Sequence, residues 1–395
     1  MKILIVALSD SIHTARWLSQ MTGKGWDIHL FPSCDGGYVH PDISDVTVHH
    51  SIYYQFQRGS GNVRKHGLPL PSLPAVFLCR RILDRYWPCF RVQQLARLIN
   101  RLKPDVVHSM EFQHAGYLTL AAKKLCRGEF PPWIVTNWGS DIYLFGRLAA
   151  HKEQIRDLLT HANYYSCECQ RDVCLAKVFG FTGRVLPVFP NTGGFDLAEV
   201  AGFRNEGNSA SRRVIMLKGY QTWAGRALVA LRSLERCSDL LDGYTLAIYS
   251  ATEEVEIAAE LFQDTTGIPV VIIPKETCHR EMLHWHGRAR ISIGLSISDA
   301  ISTSLLEAMV MGSFPVQSWT ACADEWINDG CNGLLVPPED PEIVERALRK
   351  ALTDDELVNR AAKYNSDLAL NRLDQRVLRE KVVNFYHIVT GNNSL

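Results

Sequence analysis

The sequence has no apolar run as long as the roughly 18 residues that a membrane-spanning helix needs. The N-terminal run from Ile3 to Leu8 is also too short for the core of a signal peptide, and the polar residues Ser9 and Asp10 follow it directly. We interpret this run as a buried first β-strand. We therefore expect a cytoplasmic protein.

The sequence also lacks the cysteine and histidine patterns that predict disulfide bonds or a metal site. The 11 cysteines are odd in number and irregularly spaced. The C-x-C pair at 167–169 has no second pair at metal-ligand spacing, and we interpret the histidines at 49–50 and at 284 and 286 as surface or core residues and not as metal ligands. We expect reduced thiols, no metal and no cofactor.

The net charge is zero, but the charge is unevenly distributed. Residues 1–200 carry six more basic than acidic side chains, and residues 201–395 carry six more acidic than basic ones. The basic surplus is densest from Arg58 to Lys103, where Asp84 is the only acid. Two interpretations stay open: a solvated helical face, or a patch that contacts an anionic membrane or an anionic acceptor. No nucleic-acid motif is present, and we expect no nucleic-acid partner.

Short apolar runs alternate with helical patterns in both halves of the chain. In the first half we predict strands at 2–7, 27–31, 105–108 and 133–136, and helices at 13–22, 92–102, 116–125 and 152–160. In the second half we predict strands at 214–217, 245–249, 270–273, 291–295 and 315–317, and helices at 225–236, 253–262, 280–287 and 304–311. Residues 34–75 give no assignable pattern.

This alternation predicts two doubly wound α/β domains with parallel sheets. The small, polar stretch from Gly194 to Arg212 is typical of a linker between them. Because ligands of such sheets bind outside the carboxyl ends of the strands, we expect a site in a cleft between the two domains.

The segment from 291 to 317 carries the most specific chemistry. A strand is followed by Asp299, by the small residues Ser302, Thr303 and Ser304, and by a helix that contains Glu307. Backbone amides at such a helix N-terminus favour a phosphate, and the carboxylate can accept hydrogen bonds from ribose or sugar hydroxyls. Equally open is a capping box, in which Glu307 is the partner of Ser304.

The same segment resembles the signature of the GT-B fold retaining glycosyltransferases of family 4. The match consists of two acidic residues eight positions apart, Asp299 and Glu307, followed by Ala-Met-Val-Met-Gly-Ser-Phe-Pro-Val. Further similarities are Asp-Val-Val-His at 105–108, Asn-Trp-Gly-Ser-Asp at 137–141 and Gly-Cys-Asn-Gly-Leu-Leu at 330–335. The first acid is Asp where the family usually has Glu.

The resemblance implies roles on the nucleotide side. Glu307 would bind the ribose, Asp299 would contact the donor sugar, and the amides of 301–304 would hold the diphosphate. Lys218 and Arg226 would neutralise the charge on the departing diphosphate without a metal. An alternative for Arg226 is an ordinary surface residue on the following helix.

The acceptor side is less regular. The family often has a second histidine after His108, where this chain has Met110 and then Glu111. His108 is either a catalytic residue or a strand-end histidine satisfied by backbone. Asp141 either binds the acceptor hydroxyl or caps the next helix. His13 and Glu111 are candidates for contact with acceptor or donor sugar.

The resemblance implies a retaining glycosyltransferase that moves a sugar from a UDP- or GDP-linked donor to a hydroxyl acceptor, such as a saccharide or lipid-linked saccharide in cell-envelope synthesis. Residues 1–195 would bind the acceptor and 211–372 the donor, with a C-terminal helix in 373–395 that returns to the N-terminal domain. A silent nucleotide-sugar-binding module and a nucleotide-sugar 2-epimerase are the alternatives.

Overall fold

The computed structural model describes residues 1–56, 62–204 and 208–391. The chain divides into two compact units, one formed by Met1–Gly193 with the C-terminal residues from Leu378, the other by Gly194–Val377. Arg58 of the predicted basic segment and residues 205–207 of the predicted linker lie outside the described residues.

The first unit is built on a parallel sheet. Its strands are β1 (Lys2–Ala7), β2 (Asp27–Pro32), β3 (Thr47–Tyr54), β4 (Arg64–Leu70), β5 (Val106–Met110), β6 (Trp133–Thr136), β7 (Tyr164–Ser166) and β8 (Arg184–Val185). In the described residues these eight strands lie in the order β4-β3-β2-β1-β5-β6-β7-β8. Its first seven helices are α1 (Ile12–Ser19), α2 (Leu73–Tyr86), α3 (Phe90–Leu102), α4 (Tyr117–Leu125), α5 (Ser140–Tyr143), α6 (Ala149–His161) and α7 (Gln170–Val178).

Strand β1 shows why this sheet is covered on both faces. Leu4 and Val6 belong to one apolar cluster, whereas Ile3 and Ile5 belong to another. Since successive side chains of a strand point to opposite faces, a continuous apolar run such as this one requires helices on both sides.

The second unit repeats this design with a smaller sheet. Its strands are β9 (Val214–Lys218), β10 (Thr245–Tyr249), β11 (Val270–Ile273), β12 (Ala289–Gly294), β13 (Phe314–Ser318) and β14 (Leu334–Val336). They pair in parallel in the order β11-β10-β9-β12-β13-β14. Its helices are α8 (Leu197–Ala201), α9 (Ala227–Glu235), α10 (Glu253–Thr266), α11 (His279–Arg288), α12 (Thr303–Met311), α13 (Pro341–Thr353) and α14 (Asp355–Arg372).

The last helix, α15 (Gln375–Thr390), supplies core residues to the first unit. Leu378, Val382 and Phe385 are fully buried in the same apolar cluster as Ile3 and Trp17 of the first strand and first helix. The predicted α/β fold with two Rossmann-like domains is confirmed.

The structure corrects two predictions in the N-terminal half. Residues 34–75, in which the sequence shows no assignable pattern, contain β3, β4 and the start of α2. Arg91 is not part of a solvated basic face: its Nη1 lies 3.3 Å from Oδ2 of the buried Asp35, and its guanidinium lies 4.1 Å from the ring centroid of Phe31. No helix in the described residues is long and apolar enough to cross a membrane.

Candidate functional site

In the second unit the predicted nucleotide residues lie where the strand order reverses. The chain enters the sheet at β9, adds β10 and β11 on one side, and then adds β12 on the other. The connections after β9 and β12 therefore diverge, which opens a crevice at the carboxyl ends of these two strands. Lys218 ends β9, and the segment from Asp299 to Glu307 follows β12.

Lys218 contacts the start of this segment. Its Nζ lies 3.7 Å from Oδ2 of Asp299 and donates a 3.4 Å hydrogen bond to Oγ of Ser302. The ring of Tyr220 lies 5.4 Å from the same nitrogen. The structure thus brings Lys218, Asp299 and Ser302 together and places a positive charge beside the N-terminus of α12.

The N-terminus of α12 begins one residue before the predicted one. Ser302 is the N-cap, and its Oγ lies 2.8 Å from Oγ of Ser304. The side chain of Ser302 does not accept from a first-turn amide of the helix. The amides of Thr303 and Ser304 lack an intrahelical acceptor, and with the helix dipole they favour an anion at this position. The alternative prediction of a capping box is wrong, because Ser304 lies inside the helix and is not its N-cap.

Glu307 lies in the second turn of α12 and is almost buried. Its Oε1 forms a 2.9 Å hydrogen bond with Nε2 of His279, the first residue of α11. Its Oε2 lies 3.6 Å from Nε2 of His286, seven residues further along the same helix. The carboxylate therefore faces two histidines that the sequence did not assign to the site.

The two histidines differ in environment. His279 is half exposed, whereas His286 is fully buried and its Nδ1 lies 3.0 Å from Oγ of Ser292. Burial lowers the pKa of His286 and keeps its ring neutral, against the opposing effect of the charge on Glu307. Tyr249 stacks edge-on against His286, and burial raises the pKa of its hydroxyl. Glu307 therefore lies between one buried, neutral histidine and one that is partly exposed.

The backbone of Arg226, and not its side chain, contacts the connection that follows β12. Its amide donates a 3.0 Å hydrogen bond to the carbonyl of Leu295, directly after β12. Its guanidinium forms a 2.8 Å ion pair with Glu339, which is exposed to solvent. The structure therefore does not join the Arg226 side chain to Lys218 and Asp299.

The loop before Arg226 is held against the connection that follows β12. Gly225 forms an antiparallel bridge with Ser296, and the amide of Ile297 donates a 2.9 Å hydrogen bond to the carbonyl of Ala224. A Cβ atom at Gly225 would lie 2.2 Å from the carbonyl oxygen of Tyr220. Only glycine permits this approach.

In the first unit His108 is a core residue. Its side chain is fully buried, its Nδ1 lies 2.8 Å from the hydroxyl of Tyr386, and its Nε2 lies 2.7 Å from Oγ1 of Thr136. Burial lowers the pKa of His108 to about 3. Both ring nitrogens are engaged and neither is accessible, which contradicts the predicted catalytic role. His108 is a structural residue, as the alternative interpretation held. Its ring nitrogens, however, bond to side chains and not to the backbone.

Glu111 lies at the carboxyl end of β5 and has a positive φ of 74°. Its carboxylate accepts hydrogen bonds from the amides of His114 and Ala115, at the start of a single π-helical turn. The side chain of His114 contacts Cys34 and Glu111, and these contacts raise the pKa of His114 to about 10. Glu111 therefore orders this loop, and His114 is a cationic neighbour that the sequence did not indicate.

Asp141 lies close to Glu111, after β6. Its Oδ2 accepts hydrogen bonds from the amides of Trp138, at 2.8 Å, and Phe112, at 3.2 Å. The cap of α5 is Gly139, so the alternative that Asp141 is an N-cap is wrong. Burial raises the pKa of Asp141 to about 7, and the charge of Glu111 adds to this effect.

His13 is the exposed member of this group, at the start of α1. Its ring lies 5.4 Å from that of Trp138, which is three residues before Asp141. The first unit therefore brings His13, Glu111 and Asp141 to the carboxyl ends of β1, β5 and β6. These strands surround the point where the order of this sheet reverses.

Two family models match the chain. Residues 83–168 match the model described as glycosyl transferase 4-like, and residues 231–367 match that of glycosyl transferases group 1, which includes the segment from Asp299 to Glu307. Together the two matches span more than half of the chain. No curated protein matches the sequence.

Solved glycosyltransferase structures resemble the whole chain. Sucrose-phosphate synthase from Thermosynechococcus elongatus is 13 % identical, covers 100 % of both chains and has a TM-score of 0.71. An α,α-trehalose-phosphate synthase (UDP-forming) from Burkholderia xenovorans, in complex with glucose-6-phosphate, is 13 % identical over 99 % of this chain and 100 % of its own, with a TM-score of 0.69. The Anabaena protein HepE in complex with UDP-glucose is 13 % identical over 97 % and 98 %, with a TM-score of 0.66.

At these identities the structural likeness establishes the fold, which is GT-B. The family models establish the class of enzyme. The chain belongs to the GT-B glycosyltransferases of family 4.

Proposed function

We propose that the chain transfers a sugar from a nucleotide-diphosphate sugar to an acceptor hydroxyl, with retention of anomeric configuration. One observation carries the proposal. At the reversal point of the second sheet, the ammonium of Lys218, the N-terminus of α12 and the carboxylate of Glu307 lie on consecutive parts of one crevice.

The cation and the helix N-terminus suit a diphosphate. The Nζ of Lys218 is already directed at Ser302, the cap of α12, where first-turn amides and the helix dipole favour negative charge. As the sugar–phosphate bond breaks, charge grows on the leaving diphosphate, and preorganised donors stabilise it without waiting for solvent to reorganise. We propose that this replaces a metal ion.

The carboxylate suits a polyol. Glu307 is five residues into α12, and an ionised carboxylate accepts several hydrogen bonds, which matches the two hydroxyls of a ribose. The neutral ring of His286 and the hydrogen bond from His279 fix its orientation. Asp299, next to Lys218, would contact the donor sugar.

Arg226 is a weaker part of the donor site. To reach a diphosphate its guanidinium must exchange the ion pair with Glu339 for the ligand. Because Glu339 is exposed, that pair contributes little. The guanidinium would also give up the 2.9 Å hydrogen bond from its Nη1 to the carbonyl oxygen of Gly225.

The similar structures favour a uridine nucleotide. HepE was solved with UDP-glucose, and the Burkholderia synthase is named as UDP-forming. We propose a UDP-linked donor, with a GDP-linked donor as the alternative.

On the acceptor side we assign Asp141, Glu111 and His13, and we leave out His108. The bond from the anomeric carbon to the phosphate oxygen breaks while the acceptor oxygen attacks the same face of the sugar. The acceptor's proton passes to the leaving phosphate oxygen, so the reaction needs no strong enzymic base. A carboxyl such as Asp141, which titrates near neutral pH, would hold the acceptor hydroxyl by a hydrogen bond.

We place the enzyme in the cytoplasm, in the synthesis of a cell-envelope polysaccharide or glycolipid. The free cysteines suit a reducing compartment. The basic surplus of the N-terminal half suits an anionic acceptor or a peripheral contact with a membrane.

Nucleotide binding and sugar transfer test the donor site. We expect Lys218→Ala and Glu307→Ala each to weaken UDP binding, measured by titration calorimetry, by roughly 10- to 100-fold, because each removes a charged hydrogen-bonding group. Lys363→Ala and Glu356→Ala, at exposed positions on α14, are the matched controls and should bind like the wild type.

The stereochemical and metal proposals have separate tests. The anomeric coupling constant of the product, from proton NMR, should show the configuration of the donor, and transfer should persist in EDTA. Unchanged UDP binding in both site variants would remove the donor assignment. An inverted product would remove the retaining mechanism alone.

A further inference from the structure

The outer face of α2 carries an unusual concentration of apolar side chains. Val76 is the one buried residue of this 14-residue helix. Four other residues of the helix and the residue that follows it have large apolar side chains that are between 48 % and 82 % exposed: Phe77, Leu78, Ile82, Tyr86 and Trp87.

The spacing places these side chains in one strip. Leu78, Ile82 and Tyr86 are four residues apart, so they lie above one another on the helix surface. The adjacent row at the same spacing is Phe77, then Arg81, then Arg85. The outer face therefore consists of an apolar row beside a row that ends in two exposed arginines.

The single acidic residue of α2 forms an ion pair within the helix. Asp84 lies 3.7 Å from Nε of Arg80 and forms an ion pair with it. Arg80 also donates a 2.6 Å hydrogen bond to the backbone carbonyl of Asp35, so this arginine belongs to the inner face. Arg81 and Arg85 remain as the charges of the outer face, and both are positive.

We propose that the outer face of α2 docks on an anionic lipid bilayer. Arginine side chains extend to lipid phosphates while their stems cover apolar surface, and tyrosine and tryptophan favour the boundary between headgroups and acyl chains. The inference does not depend on the proposed donor chemistry.

A second copy of the chain fits this face less well. In a twofold contact the same surface meets itself, which brings Arg81 and Arg85 close to the same residues of the other copy. Like charges at such a contact oppose association, whereas an anionic bilayer attracts both.

Helix α10 in the second unit provides a matched control. It also exposes two large apolar side chains, Ile257 at 56 % and Leu261 at 63 %. The polar residues around them are acidic: Glu253, Glu254, Glu256 and Glu260. An anionic bilayer repels a face whose apolar side chains are surrounded by glutamates, so α10 should not bind such a bilayer.

Vesicle flotation tests the proposal with the full-length chain. The wild type should float with vesicles of phosphatidylcholine and phosphatidylglycerol, and not with phosphatidylcholine alone. The double variants Arg81→Glu/Arg85→Glu and Leu78→Ser/Ile82→Ser should each bind the mixed vesicles about tenfold or more weakly. Ile257→Ser/Leu261→Ser should bind like the wild type.

Other measurements separate the alternatives. All variants should keep the thermal unfolding and UDP binding of the wild type, because the replaced side chains are exposed and lie in neither candidate site. Wild-type protein that stays unbound, or α2 variants that bind like wild type, would overturn the proposal. A dimer that Leu78→Ser/Ile82→Ser dissociates, without vesicle binding by the wild type, would assign the face to a second copy. Flotation without UDP binding would refute the donor site and leave this inference intact.

Discussion

Glu307 and Asp141 show how burial gives two carboxyls different electrostatic environments. Glu307 has a histidine hydrogen bond and a second histidine nearby. Asp141 is held by two backbone amides and faces the negative charge of Glu111. Desolvation and the neighbouring carboxylate both favour the protonated form of Asp141, and they outweigh the two amide hydrogen bonds.

Asp141 should therefore make stability depend on pH near neutrality. Its pKa is about 7 in the folded chain against an ordinary value of 3.8. The folded state holds the proton more tightly, so the associated stability is full below about pH 4 and is lost as the pH rises through about 7. We expect the free energy of unfolding of the wild type, from urea titrations, to fall between about pH 4 and pH 7 relative to Asp141→Asn, and to level off above that range.

The comparison with Asp141→Asn isolates this carboxyl, since asparagine keeps the size and cannot ionise. Parallel pH profiles for the two proteins would show that the pKa of Asp141 is not raised. Glu111→Gln should move the midpoint of the wild-type profile to lower pH, because it removes the neighbouring negative charge.

At this scale the sequence predicted the positions of the donor-site candidates in the fold better than their contacts. The spacing of Asp299 and Glu307 placed both beside the start of α12. The partners His279 and His286 lie on a preceding helix, and their approach to Glu307 depends on how α11 packs on α12, which no local pattern encodes. For His108 the strand-end position gave no indication that Tyr386, far away in the sequence, satisfies its ring.

At the scale of elements, the connection after β9 depends on glycine. Its backbone runs against the connection after β12, with hydrogen bonds at both Ala224 and Arg226. The contact aligns two loops that both contribute to the donor crevice. A side chain at Gly225 would meet backbone, which cannot move aside as a flexible side chain can.

We expect Gly225→Ala to displace this loop and to destabilise the second unit by about 1–3 kcal/mol, the usual cost of overpacking. Sugar transfer should fall by a larger factor than stability alone explains, because Lys218 and Arg226 lie on either side of the loop. Chemical denaturation and a transfer assay measure the two effects. Gly202→Ala, in the same unit, is the control, since its added Cβ meets a backbone oxygen at 3.3 Å, a much milder contact than the 2.2 Å at Gly225. Equal activity in the two variants would contradict the prediction.

Each predicted strand and helix is present, but several elements were not predicted: β3, β4, β7, β8, β14, α2, α5, α7, α8, α13 and α14. β4 contains Gly67 and Pro69 and lies at an exposed edge, so it has no alternating pattern, and it is a strand because it pairs with β3. β3 itself, rich in β-branched and aromatic residues, carried a signal that could have been recognised. α2 was missed because its exposed apolar face does not follow the pattern of a helix with a buried apolar side.

At the scale of the molecule, the first unit is completed from both ends of the chain. The hydroxyl of Tyr386 in α15 accepts a 2.9 Å hydrogen bond from Nε1 of Trp17 in α1 and lies 2.8 Å from His108 in β5. All three side chains are fully buried. The family resemblance predicted that the C-terminal helix returns to the N-terminal domain, but the polar network that holds it could not be read from the sequence.

Tyr386→Phe should therefore weaken the first unit. It leaves two buried nitrogens without their partner, which costs about 1–3 kcal/mol. Hydrogen exchange should show reduced protection in β1 and β5, with the strands of the second unit unchanged. Tyr364→Phe, at an exposed position on α14, is the control and should leave both units as they are. An equal loss of protection in both units would contradict this prediction, because it would mean that α15 also stabilises the second unit.

The return of α15 also sets the order in which the units can be completed during synthesis. Every residue of the second unit, Gly194–Val377, has been translated before Val382, Phe385 and Tyr386 are added. Domains usually fold in the order in which the ribosome produces them. Here the first unit is translated before the second but is completed after it, because its core includes α15, which follows the second unit in the sequence.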